Sequence, residues 1–295
     1  MLKDESHRMG LGAFKALGGV YAVARLIIGD DVVLNFSLEA LREKAKEVTF
    51  VCASAGNHGM AVAAGARIFG AYARIHLAET VPQAFVARLE AQGAQVVRSG
   101  ATYEESVQIA ITDAAESKCI HLADGSWPGY TEPPRLVMEG YTVIAEEMRK
   151  QLTQDGNWPT HVFLQAGVGG LAAAITYMIR KNWPVQPKII VVEPDSASCL
   201  LDGVTAGHVV TVDGPASNMG RLDCKTASML ALEILRTMAD SFVIITDEQG
   251  QAATDELAKL DIQTTPSGAA GFAALTVGDI PAEARPLLII SEGQV

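Results

Sequence analysis

Residues 161–171 have the sequence HVFLQAGVGGL. The first five form a run of strand length, and an apolar helical pattern begins at Leu171. Between them lies the turn Gly167-Val168-Gly169-Gly170, where glycine lets the backbone approach an anion and the helix N-terminus supplies free N–H groups. The spacing is not that of the dinucleotide motif GxGxxG. The stretch therefore predicts a strand, a tight turn and a helix, and the turn either binds a single phosphate or has no ligand.

The same alternation of strand-like and helix-like segments extends over the chain. Further strand-like runs lie at 48–51, 73–77, 95–97, 189–192, 241–246 and 287–290. Helical patterns lie at 13–28, 36–45, 59–69, 83–92, 103–116, 136–152, 171–181, 228–238, 247–260 and 269–275. This alternation predicts an α/β fold with parallel sheets flanked by helices. Ligands of such sheets bind beyond the carboxyl ends of the strands.

The composition excludes several classes of protein. Of the 295 residues, 49% are hydrophobic and 19% are charged, as in a globular enzyme with a sizeable core. The 23 basic and 34 acidic residues give a net charge of −11, so we expect no nucleic-acid partner. No apolar run reaches the roughly 20 residues of a membrane span, and charged residues interrupt the start of the chain. We therefore expect no membrane partner and a cytoplasmic location.

The cysteines point to the same compartment. Four are present, at Cys52, Cys119, Cys199 and Cys224, and none of them forms a CxxC pair. This scattered pattern argues against a disulfide framework and predicts no metal site, which fits a reducing cytosol.

Lys15 is the first candidate for covalent chemistry. It follows Phe14 near the start of the helical pattern 13–28, where its amine would project from the beginning of a helix. A lysine amine can condense with an aldehyde, although most lysines are solvated surface charges. Two further features strengthen the catalytic interpretation: the glycine turn after residue 166, and the sequence SAGNHG at residues 54–59.

Several short motifs occur together in one order along the chain. They are KDES at residues 3–6, AFK at 13–15, GNHG at 56–59, WPGYT at 127–131, MEGY at 138–141, LQAGVG at 164–169, VEPD at 192–195 and SGA at 267–269. With them, the chain resembles the fold-type II enzymes that use pyridoxal 5'-phosphate (PLP), the group of threonine dehydratase and serine racemase. Within that group it resembles the diaminopropionate ammonia-lyases. The resemblance implies a homodimer and a two-lobed fold like tryptophan synthase β, with a large lobe at 1–39 and 143–295 and a small lobe at 40–142.

The resemblance also implies which residues bind the cofactor and an amino-acid substrate. Lys15 would hold PLP covalently, and Asn57 would form a hydrogen bond with its phenolic oxygen. Ser291 would face the pyridine nitrogen, where a neutral hydroxyl favours elimination over transamination because it does not hold the nitrogen protonated. The other cofactor contacts would be Phe14, Gly167, Val168, Gly169, Gly170 and Leu171. The substrate carboxylate would bind at Ser54, Ala55, Gly56 and His58, although His58 is also interpreted as a structural histidine.

Asp124 and Ala55 bear on the reaction itself. In diaminopropionate ammonia-lyases an aspartate at the place of Asp124 is a general base for one substrate enantiomer. A carboxylate could also hold the β-ammonium group of the substrate, while Asp-Gly is equally a common turn pair. The resembled lyases carry a second aspartate, for the opposite enantiomer, where this chain has Ala55, so the resemblance implies action on L-diaminopropionate and argues against the D-isomer. The form SAGNH is that of threonine and serine dehydratases, although these commonly have glutamate, part of a cation site in some relatives, where this chain has Thr265.

Three functions follow as hypotheses. The first is a lyase that eliminates ammonia from 2,3-diaminopropionate to give pyruvate and ammonia. The second is a dehydratase of serine, threonine or hydroxyaspartate, and the third is a truncated homologue without catalysis. The segment at 2–5 resembles the end of a strand and the chain stops just after another. We therefore expect a fragment, a short homologue or the ordered part of a longer protein.

Overall fold

The computed structural model describes residues 1–29 and 37–294. They form two compact units. The first contains Met1–Phe14, Gly125–Thr131 and Tyr141–Val295, and the second contains Lys15–Asp124 and Glu132–Gly140. This division assigns the helix that begins at Lys15 to the second unit, whereas the boundaries near residues 39 and 142 stay a prediction.

The elements alternate along the chain as the sequence predicts. The strands are β1 Leu2–Asp4, β2 Thr49–Ala53, β3 Tyr72–Leu77, β4 Gln95–Arg98, β5 Ile120–His121, β6 His161–Gln165, β7 Lys188–Pro194, β8 Ser241–Ile245 and β9 Pro286–Ile290. The helices are α1 Lys15–Ile28, α2 Leu38–Ala45, α3 Asn57–Phe69, α4 Gln83–Ala91, α5 Tyr103–Glu116, α6 Glu132–Asp155, α7 Gly170–Asn182, α8 Cys199–Ala206, α9 Met229–Met238, α10 Asp247–Ala258 and α11 Pro266–Val277, with a 3-10 turn at Arg8–Gly10. Every pair of neighbouring strands is parallel, which confirms the predicted fold class.

The first unit contains a five-stranded sheet in the order β1-β9-β6-β7-β8. All five residues of β6 are buried, as are six of the seven residues of β7, because a parallel sheet is covered on both faces. The helix α11 packs against this sheet with the small side chains of Ala269, Ala270, Ala273 and Ala274, all 0% exposed. Small residues on this helix bring its backbone close to β6, which Gln165 ends, and to β9, which Ser291 follows.

The second unit contains a four-stranded sheet in the order β4-β3-β2-β5. Its helix α3 is buried from Asn57 to Ala66 and packs on α1 through small residues. A Cβ added at Gly19 would lie 2.6 Å from the Cβ of Ala61. The close approach of the two helices therefore requires glycine at this contact.

Several elements differ from the sequence prediction, and two helices, α6 and α11, are longer at both ends than the predicted ranges 136–152 and 269–275. The helix α1 begins at Lys15 rather than at residue 13, because Ala13 bridges to Glu292 and the N–H of Phe14 donates to the carbonyl of Ser291. The short strand β5 and the helix α8 were not predicted. The helical pattern 36–45 begins at a residue outside those described, and its described part is α2, which Ser37 caps. In the part of the chain that the structure describes, no helix has the length and apolar character needed to cross a bilayer.

Candidate active site

The amine of Lys15 and the carboxylate of Asp124 form an ion pair in the second unit. Lys15 is the first residue of α1, and Asp124 lies three residues after β5. Their side chains are 21% and 22% exposed, so water reaches both only in part. The structure therefore brings together the two residues that the sequence predicts to be catalytic, and their roles stay predictions.

The charge of Lys15 decides the ionisation of Asp124. Burial is the largest single influence and disfavours the charged carboxylate, but the positive charge of Lys15 outweighs it together with smaller contributions from His58 and from the hydrogen bond to Lys15. The pKa of Asp124 is therefore lowered from its usual range. At neutral pH this carboxylate is ionised and is a ready partner for a cation.

His58 connects the start of α3 to the segment that carries Asp124. Its Nε2 lies 2.8 Å from the carbonyl oxygen of Leu122, so this nitrogen carries the proton and donates it. Burial lowers the pKa of the buried imidazole, although Asp124 opposes this effect. A neutral, buried ring that bonds a backbone carbonyl favours the structural interpretation of His58 over a direct contact with substrate.

The loop of Ser54, Ala55 and Gly56 connects β2 to α3 and is half-buried. The N–H of Gly56 donates to the hydroxyl of Ser54 at 3.3 Å, which folds the loop back on itself. Asn57, the buried first residue of α3, follows it. The first turn of a helix carries free N–H groups and a partial positive charge, so this loop is suited to a carboxylate.

The turn from Gly167 to Gly169 connects β6 to α7 in the first unit. Gly169 has φ +97°, a conformation that side chains rarely adopt, and a Cβ added at Gly167 would lie 2.8 Å from the Sγ of Cys224. The turn itself thus needs these glycines, so their presence is explained even if the turn has no ligand. The turn also opens the 13-residue helix α7 at its N-terminus, and its donors fit the single phosphate of PLP.

Ser291 follows β9 and is only 4% exposed. Its carbonyl accepts the N–H of Phe14 at 3.0 Å, and its hydroxyl oxygen accepts a hydrogen bond of 3.2 Å from Nε2 of Gln165. The ring of Phe14 packs edge-on against Tyr141, with 4.9 Å between centroids. The residue directly before Lys15 is thereby fixed to the end of β9.

Two buried polar residues beside these elements were given no role from the sequence. Gln165 lies at the end of β6, and Glu292 directly follows Ser291. Thr265 stands where dehydratases commonly have glutamate, and its hydroxyl donates to the carboxylate of Glu292 at 2.5 Å. Gln165 and Glu292 both lie in or beside predicted strands, but the neighbouring sequence contains no feature that indicates a role for either side chain. Glu193 accepts the N–H groups of the residues at 200 and 201 and so caps α8.

Comparisons with known proteins identify the family of this chain. A family model described as pyridoxal-phosphate dependent enzyme matches residues 1–292. The diaminopropionate ammonia-lyase of Escherichia coli strain K12 is 36% identical over 255 residues, covering 84% of this chain and 63% of that protein. A probable D-serine dehydratase of Burkholderia pseudomallei is 28% identical over 285 residues, covering 88% and 62%. The chain therefore spans less than two thirds of the length of these curated relatives.

A solved structure gives the same result for the fold. The crystal structure of the Escherichia coli diaminopropionate ammonia-lyase in complex with D-serine matches with a TM-score of 0.90 and 31% identity. The match covers 99% of this chain and 80% of that one. These findings confirm the resemblance, the fold-type II α/β fold and PLP as the cofactor.

Proposed function

This chain belongs to the pyridoxal-phosphate-dependent enzymes, and we propose that it eliminates ammonia from 2,3-diaminopropionate to give pyruvate and ammonia. When bound, the cofactor supplies an electron sink for the substrate carbon that loses a proton. In this proposal the amine of Lys15 binds it covalently, and Asn57 contacts its phenolic oxygen. The glycine turn at 167–171 binds the phosphate, Phe14 lies against the cofactor, and Ser291 faces the ring nitrogen.

One observation carries the choice of substrate: the carboxylate of Asp124 already pairs with a primary ammonium group, that of Lys15. The β-substituent of diaminopropionate is also a primary amine, protonated near neutral pH. A carboxylate that is ionised and partly buried would attract this group and orient it. A serine or threonine hydroxyl carries no charge and would gain much less from Asp124.

The substrate carboxylate has a separate binding element in this proposal. The loop from Ser54 to Gly56, together with the N-terminus of α3, offers a hydroxyl and backbone N–H groups. An amino acid bound there by its carboxylate would have its remaining groups free to react. Asp124 would then act as general base at the α-carbon or as the partner of the β-ammonium group.

A specific observation favours the dehydratase as the second candidate. Ala55 is half-buried in the loop and offers a methyl group where the resembled lyases have an aspartate. One residue therefore supports each of these two functions: Asp124 favours the lyase, and Ala55 favours the dehydratase. Relatives described as D-serine dehydratases, 28% identical to this chain, support the same alternative.

Location and assembly belong to the proposal as well. All four cysteines are free thiols, and two of them, Cys52 and Cys199, are buried. This supports a cytoplasmic location, because reduced thiols persist in that compartment. The homodimer rests on the resemblance, and light scattering of the purified protein would measure the oligomeric state.

The test compares four substrates with two matched variants. L- and D-diaminopropionate, L-serine and L-threonine are offered separately to the PLP-loaded protein, and a coupled dehydrogenase reports pyruvate or 2-oxobutyrate. Asp124→Asn removes the charge but keeps the shape of the side chain. Asp155→Asn is the control, because Asp155 is also followed by glycine but is exposed at the end of α6.

The lyase proposal expects L-diaminopropionate to be the best substrate. Asp124→Asn should lower kcat/KM for it by about 10²-fold or more, with a smaller loss for L-serine, while Asp155→Asn leaves both unchanged. Preference of the wild-type protein for serine or threonine would replace the lyase with the dehydratase. No product from any of the four substrates, despite bound PLP, would support the non-catalytic homologue.

A further inference from the structure

Gln165 ends the strand β6, and its amide is directed at the end of β9 within the first unit. The side chain is buried, with 2% of the residue exposed. Its Nε2 lies 2.8 Å from the carbonyl oxygen of Ile289, 3.1 Å from that of Gly268 and 3.2 Å from the hydroxyl oxygen of Ser291. The NH₂ group has two hydrogens for these three oxygens, so one N–H is shared between a carbonyl and the hydroxyl of Ser291, which accepts the longest of the three bonds.

The chemistry of these partners fixes the orientation of the amide. Carbonyl oxygens only accept hydrogen bonds, so the NH₂ group must face Ile289 and Gly268, and the opposite orientation would set oxygen against oxygen. An amide nitrogen has no lone pair with which to accept. The hydroxyl of Ser291 therefore cannot donate to Gln165 and can only accept from it.

This restriction determines where the proton of Ser291 can point. Among the residues that the structure describes, Gln165 is the donor to the hydroxyl oxygen of Ser291. With one lone pair directed at Gln165, the O–H bond is turned away from the buried amide. We infer that Gln165 is a positioning residue, which keeps the hydroxyl proton of Ser291 directed to the ring nitrogen of PLP.

The consequence concerns the electronics of the cofactor. A ring nitrogen that accepts a hydrogen bond from a hydroxyl stays unprotonated and is a weaker electron sink than a pyridinium. The inference rests on the proposed contact between Ser291 and the ring nitrogen. It does not depend on whether the leaving group is ammonia or water.

Glu292, which follows Ser291 in the sequence, has other hydrogen-bond and ionic partners. Glu292 is 2% exposed, and its Oε1 accepts a hydrogen bond of 2.5 Å from Thr265. Its Oε2 lies 3.7 Å from Nε of Arg221. Because the carboxylate of Glu292 contacts Thr265 and Arg221, we assign the contact with the ring nitrogen to the hydroxyl of Ser291.

A double-mutant cycle between Gln165→Met and Ser291→Ala tests the inference. Two readouts that need no turnover are used: the dissociation constant of PLP, from absorbance titration of the full chain freed of cofactor, and the ¹⁵N chemical shift of the ring nitrogen in labelled PLP. Ser291→Ala should weaken PLP binding by about tenfold, the value of one hydrogen bond. Gln165→Met should weaken it severalfold in the wild-type background and less than twofold when Ser291 is already alanine.

Gln186→Met is the matched control. The amide of Gln186 also donates to two backbone carbonyls, those of Ile179 and Trp183, but reaches no hydroxyl. This variant should change neither PLP affinity nor the ¹⁵N shift. Equal losses from Gln165→Met in both backgrounds would assign Gln165 a purely structural role and overturn the inference.

A second variant covers the case in which Gln165→Met does not fold. Gln165→Leu also removes the donor to Ser291 and places no new oxygen against the carbonyls of Ile289 and Gly268. It should therefore move the ¹⁵N shift in the same direction as Ser291→Ala, and an unchanged shift overturns the inference. If Ser291→Ala itself changes neither readout, the contact between Ser291 and PLP is wrong and the inference falls with it. The substrate assay above still decides the reaction separately.

Discussion

Replacing Gly59 by alanine should displace the loop that is proposed to bind the substrate carboxylate. Gly59 lies in the first turn of α3, and an ideal Cβ at this position would be 2.1 Å from the carbonyl oxygen of Ser54 and 3.2 Å from its carbon. Non-bonded carbon and oxygen atoms need a separation of about 3.2 Å. The obstacle is backbone, so it cannot rotate away, and the loop or the helix must shift by about 1 Å.

The size of this shift sets the expected effect. A misplacement of about 1 Å in a substrate-positioning element lowers kcat/KM by about 10²-fold. The overpacking should also lower the free energy of unfolding by about 1–3 kcal/mol, so the rates must be measured well below the unfolding temperature of the variant. The assay is pyruvate formation from L-diaminopropionate, with thermal unfolding of each variant measured in parallel.

Gly220→Ala is the control for this prediction. Gly220 is exposed, its φ is not in the left-handed region, and a Cβ there would meet nothing within 4 Å. This variant should keep both the stability and the activity of the wild-type protein. A folded Gly59→Ala protein with kcat/KM within twofold of wild type would refute the assignment of the loop from Ser54 to Gly56 to the substrate.

Three further predictions concern single residues. Lys15→Arg keeps a positive charge beside Asp124 but cannot form the covalent bond to PLP. Borohydride reduction followed by mass spectrometry should therefore find no cofactor attached to this variant. Cofactor still attached at position 15 would contradict the role of Lys15. Ala55→Asp should raise the ratio of D- to L-diaminopropionate turnover, on the order of 10²-fold for an added general base, and an unchanged ratio would show that position 55 does not face the substrate. Burial raises the pKa of Glu193 from 4.5 to about 7, so the folded protein holds a proton that the unfolded chain releases. Its stability should fall by about 3 kcal/mol as the pH rises through this window. Glu193→Gln should remove most of this fall in urea unfolding at pH 5 and 7.5, and parallel losses in both proteins would refute the assignment.

The fold could be predicted because parallel strands leave a strong pattern in the sequence. Strands such as β6 and β7 are buried on both faces and therefore consist of nearly continuous apolar residues. The strand β5 has only two residues, which is too short for any pattern to emerge. The helix α8 has eight residues and includes Gly203, a weak helix former.

The sequence suggests candidate site residues one by one, and their roles stay predictions, but it does not indicate the contacts between them. Lys15 and Asp124 were each identified, yet their ion pair joins positions 109 residues apart and depends on the pairing of β2 with β5. Gln165 was part of a motif, but a polar residue at the end of an apolar strand has no local feature that indicates its partners. Those partners come from residues 268, 289 and 291, which only the folded sheet brings to it.

The ion pair also supports the proposal that the site binds a β-amine rather than a β-hydroxyl. Burial is the largest single influence on the Asp124 carboxyl and favours its protonated form, and the charge of Lys15 reverses that preference. If the amine of Lys15 loses its charge, the pKa of Asp124 should rise, because the largest contribution that opposes burial is then lost. A substrate ammonium group would restore the missing charge and keep the carboxylate ionised, whereas a neutral hydroxyl would not. The carboxylate of Asp124 thus needs a cation beside it to stay ionised, and in the proposed reaction the β-ammonium group of diaminopropionate would supply one.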